Sequence, residues 1–72
     1  MIRSYNATII SKVVNMSDMQ QLFQSYGAQN VVCLDEIGVI SFLAGDAVAR
    51  RIRSFAAVLS VEENRENEAI DE

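Results

Sequence analysis

The 72-residue chain has no histidine, no proline and a single cysteine, Cys33. Without histidine it lacks the commonest metal ligand and the usual general base. One cysteine rules out an internal disulfide framework and the paired-cysteine motif of a metal carrier. Few residues are left from which to build a nucleophile, base and acid set, so neither an enzyme nor a bound cofactor is expected. With three glycines and no glycine-rich cradle, a phosphate loop of the acylphosphatase kind is not expected either. No apolar run approaches the roughly 18 residues of a membrane span, and no apolar leader opens the chain. These absences predict a cytoplasmic protein with no membrane partner, in which Asn6-Ala7-Thr8 has no use as a glycosylation acceptor. Basic residues number six against ten acidic ones. The resulting pI of about 4.6 disfavours nucleic acid, whose phosphates need a basic face.

What is present is enough for one small core. Half of the residues are hydrophobic, and a chain of this size buries only about 60% of its unfolded surface, which leaves no room for a second domain. The charge is uneven. Residues 1–61 hold Arg3, Lys12, Arg50, Arg51 and Arg53 against Asp18, Asp35, Glu36 and Asp46, a balance of +1. From Glu62 onward six acids face only Arg65, a balance of −5. A block of that kind is solvated and self-repelling, so the sequence divides into a domain over residues 1–63 and an extended acidic tail over 64–72.

Along the chain, residues 5–14 are rich in β-branched side chains and read as a strand. Ser17 with Gln20 has the form of a capping box, and Met19, Leu22, Phe23 and Tyr26 make one apolar helical stripe that Gly27 can end. Residues 30–34 and 39–43 are short apolar runs joined by Asp35-Glu36-Ile37-Gly38, which reads as a hairpin. Cys33 within it reads as a small buried hydrophobe with no activating base nearby. The adjacent carboxylates of Asp35 and Glu36 point apart and make no acid–base pair. Asp46 is a candidate N-cap for a second helix over residues 47–55, with Val48, Ile52 and Phe55 inward and the three arginines on a solvated outer side. A fourth strand follows at residues 58–61. Strand, helix, strand, strand, helix, strand predicts an α+β fold of ferredoxin-like βαββαβ type. Its two helices pack on one face of a four-stranded antiparallel sheet, and the other face is left bare.

The stretch Val58-Leu59-Ser60-Val61-Glu62-Glu63-Asn64, after a short amphipathic helix and before the tail, resembles the closing motif of the subtilisin propeptide family. That family includes free-standing inhibitors of subtilisin-like serine proteases. The resemblance implies that the bare sheet face docks on two parallel surface helices of the protease. It implies that Glu62 and Asn64 cap those helices' N-termini, with Asn64 standing where the family has Asp. It further implies that the tail enters the substrate cleft by strand addition, Asn67, Glu68 and Ala69 leading to Ile70 at the primary specificity pocket and Asp71 and Glu72 overhanging. Such a protein acts in trans on its protease, as an inhibitor and as a chaperone-like folding assistant, and is a monomer when free. A second reading of the same topology is a small-ligand or regulatory module that pairs edge to edge as a homodimer, with a loop site at residues 15–17 or 27–30.

Overall fold

The computed structural model describes residues 1–64. In order, the chain forms β1 (Ile2–Ile9), α1 (Met16–Ser25), β2 (Gln29–Leu34), a 3-10 turn (Asp35–Ile37), β3 (Val39–Gly45), α2 (Asp46–Arg53) and β4 (Val58–Glu63). The strands make one antiparallel sheet in the order β2-β3-β1-β4. Each helix therefore links two strands that have a third between them, the interleaved arrangement of a ferredoxin-like α+β fold.

Alternation along β1 and β3 decides which face is covered. Tyr5, Ala7 and Ile9 are buried on β1, and Ile40, Phe42 and Ala44 on β3. Helix α1 adds Met19 and Phe23, helix α2 adds Ala49 and Ile52, and no charged side chain is buried among the described residues. All five aromatic residues of the sequence form one chain of ring contacts through this core. Tyr5 stacks on Phe42 at 5.6 Å, Phe42 meets Phe23 edge-on at 5.3 Å, Phe23 lies 6.3 Å from Phe55, and Phe55 meets Tyr26 edge-on at 4.9 Å. The Arg51 guanidinium closes the series 5.7 Å above the Tyr26 ring. Sheet, first helix and second helix are thus tied through side chains that favour offset and edge-to-face geometry.

Several boundaries differ from the sequence expectation. The first strand starts at Ile2 and ends at Ile9 rather than covering residues 5–14. Ile2 and Arg3 pair with Gly45 and Ala44 of β3. Beyond Ile9, Ser11 N–H turns back to the Ile9 carbonyl (2.8 Å) and Ile10 N–H goes to Ala57 (2.9 Å), which withdraws Val13 and Val14 from the ladder. Helix α1 is capped by Asn15, not Ser17. The Asn15 backbone is extended, and its Oδ1 accepts from Ser17 N–H (2.8 Å) and Asp18 N–H (3.3 Å). Its other end behaves as Gly27 predicts. Gly27 has φ +106, Gly27 N–H donates to Gln24 and Ala28 N–H to Phe23, each at 3.1 Å. This is a Schellman motif with buried Ala28 packed back toward Phe23. In α2 Asp46 is the first helical residue and makes no cap bond; it pairs with Arg50 one turn on. The helix ends at Arg53, so Phe55 reaches the core from the following turn.

Candidate functional site

Residues directly opposite in antiparallel strands share a face, so the register defines the uncovered side of the sheet. One row across it runs Val32, Ser41, Asn6, Glu62 and the next Leu34, Val39, Thr8, Ser60. Its centre is polar: Ser41 Oγ donates to Asn6 Oδ1 at 2.8 Å, partly buried between strands. Apolar side chains stand on the β2 side of that pair, Val32 at 51% exposure and Leu34 at 40%, and Ile2 at 54% lies at the start of β1 on the same face.

The position of Glu62 on this face depends on one irregularity. In β4 the buried residues are Val58 and Val61, three apart, whereas an unbroken strand alternates with period two. Val58 lies opposite Ile9, and Ser60, two residues later, lies opposite Thr8. Leu59 is therefore the extra residue of a β-bulge. The extra residue turns everything after it to the opposite face. Without it, Glu62 and Asn64 would share the core side with Val58. With it they alternate with Glu63, which stays on the helix side opposite Tyr5 and pairs with Arg3 at 3.3 Å. Glu62 is exposed, and no side chain of the described residues bonds to it. Asn64 is held in register past the strand's end by its N–H, which donates to the Ser4 carbonyl at 2.8 Å.

Of the residues singled out in the sequence, Glu62 and Asn64 are thus brought together. Asn67, Glu68, Ala69, Ile70, Asp71 and Glu72 lie outside the described residues. Asn6 and Ser41 belong to the same surface and escaped the sequence reading, although their parity opposite to Tyr5, Ala7 and Phe42 marks them as a second face.

Cys33 is half-buried rather than buried. Its thiol donates to Asp35 Oδ1 at 3.0 Å. Burial, then that hydrogen bond, then the carboxylate's charge push it up from 9.0 to about 11, the opposite of what a nucleophile needs. An open hollow lined by Cys33, Leu34, Asp35, Glu36 and Ile37 lies beside it, and none of its lining residues belongs to the two loop sites of the alternative reading. No group of three or more His, Cys, Asp or Glu among the described residues could hold a metal. No helix among them is long and apolar enough to cross a membrane. The arginines of α2 are exposed, but not idle: besides Arg50 with Asp46 and Arg51 over Tyr26, Arg53 donates to the Val61 carbonyl at 3.1 Å.

The fold and face define a ferredoxin-like α+β domain with one bare, partly apolar sheet surface. No family model matches the chain, and neither a curated protein nor a solved structure matches it.

Proposed function

We propose that the chain is a protein inhibitor of a subtilisin-like serine protease, acting without catalysis of its own. The open sheet face docks on the protease, and the tail residues Asn67, Glu68, Ala69 and Ile70 occupy the substrate cleft, Asp71 and Glu72 beyond them. The observation that carries this reading is the bulge at Leu59, which sets Glu62 and Asn64 side by side on the uncovered face. At extended spacing two residues apart, their Cα atoms are about 6.7 Å apart, less than the 8–10 Å between neighbouring packed helices, a difference the side chains can span. Two acceptors at that spacing can each reach the free N–H groups and positive dipole end of one helix. Asn64 caps without a charge, so Glu62 supplies the salt-sensitive part of the contact. Docking would also stabilise a small domain, and its protease, by mass action.

The test is inhibition of subtilisin's hydrolysis of a small chromogenic peptide, with mass spectrometry of the inhibitor over the same time course. The full chain is expected to inhibit. A chain lacking residues 66–72 is expected to keep its far-UV circular dichroism and lose inhibition. Full inhibition by the truncated chain would sink the tail's part, and rapid digestion of the full chain without inhibition would overturn the reading.

A further inference from the structure

The two edges of the sheet differ. At β4 the Arg53 guanidinium occupies the Val61 carbonyl, Glu62 and Glu63 add charge, and Leu59 interrupts the ladder. Capping, charge and bulges are the devices that keep a foreign strand from adding to an edge. Strand β2, Gln-Asn-Val-Val-Cys-Leu, holds no charged residue and no proline. Its own irregularity falls between Gln29 and Val32, where Asn30 takes φ +49, and residues 32–34 pair regularly with β3. Val32 and Leu34 stand exposed on that regular run.

We propose that β2 pairs antiparallel with β2 of a second copy of the chain, giving a continuous eight-stranded sheet about a two-fold axis. An edge strand presents unpaired N–H and C=O groups that only another strand satisfies as a set. An uncharged strand is complementary to itself, and a two-fold contact requires that self-complementarity. Pairing that keeps the faces aligned brings Val32 and Leu34 of one copy against the same pair in the other, so their exposed surface is covered on both sides. Charge selects the same edge. Joined through β2, the two acidic β4 strands lie seven strand spacings apart, about 33 Å, several Debye lengths at physiological salt. Asp35 and Glu36 follow β2 directly, and antiparallel pairing sends the two copies of that acidic turn to opposite ends of the joint. Joined through β4, Glu62 and Glu63 would face their own copies. The association departs from the free monomer of the inhibitor reading and is an edge-to-edge pairing of the kind named in the second reading of the sequence. It covers Val32 and Leu34 at the β2 edge of the open face and leaves Glu62 and Asn64 of both copies unobstructed.

Sedimentation velocity of the full chain over a wide range of concentrations, with hydrogen exchange at the two extremes, tests this. The expected result is a shift from one-chain to two-chain mass, accompanied by slower exchange of the β2 amides at high concentration. Val32→Lys, at an exposed position, is expected to keep the wild-type circular dichroism and remain at one-chain mass; Leu34→Lys serves the same purpose if the first variant does not fold. One-chain mass at every concentration, a dimer that survives both substitutions, or a dimer whose β2 amides gain no protection would each overturn the proposal. The assay contains no protease, so its outcome is separate from that of the inhibitor reading.

Discussion

Cys33 illustrates how a single side chain's surroundings fix its chemistry. With its thiol partly desolvated and donating to Asp35, the neutral form is favoured and the pKa rises from 9.0 to about 11. Because the folded chain then holds that proton more tightly than the unfolded chain, the contribution to stability is present below pH 9 and is lost as pH rises through about 11. Urea denaturation of the wild type and of Cys33→Ser across that range is expected to show the wild type losing stability more steeply; parallel curves would remove the thiol as the cause. Alkylation at neutral pH is expected to be slow for the same reason, since the thiolate is the reactive species. At the turn that follows, Gly38 has φ +66, which favours glycine, and a Cβ there would also press on the Ser11 hydroxyl at 3.1 Å.

Among the elements, α1 separates what a sequence displays from what it conceals. Its apolar stripe and its Gly27 stop were legible because both depend on residues within a turn of one another. Its start was not, since Asn15 and Ser17 are equally good caps by composition and the choice follows from the extended backbone at Asn15. Asn15→Ala removes the acceptor for two N–H groups and is expected to cost about 1 kcal/mol, read as a lower urea midpoint with unchanged slope; Ser17→Ala is expected to cost less. The same division explains residues 10–14. Val13 and Val14 have strand propensity, but Ile10 N–H is taken by Ala57, more than forty positions away, and local propensity carries no record of such a partner. Element order, the four strands and the existence of a bare face could be read from periodicity. The side on which Glu62 and Asn64 stand could not, because it follows from the Leu59 bulge, visible in sequence only as the three-residue interval between Val58 and Val61.

For the whole molecule, the aromatic chain is the contact that joins the layers. Phe55, in the turn after α2, is its link to α1, half-buried and touching both Phe23 and Tyr26. Phe55→Ala is expected to cost about 2–3 kcal/mol, below the range for a fully buried phenylalanine because the ring is partly exposed. In a domain whose total stability is on the order of 5 kcal/mol, that loss is a large share, and thermal melting by circular dichroism should show it as a clear drop in Tm. A melt unchanged within error would mean that the rings touch without contributing. The sheet order has a further consequence. Strand β1 lies between β3 and β4, so the first strand to leave the ribosome waits for the last before both its flanks are paired. Until Glu63 has emerged, the edge of β1 that β4 will cover stands open beside an apolar core. Closure of the sheet therefore waits for β4, the last of the four strands in chain order, and until then the β1 edge is open to pairing with any other extended segment.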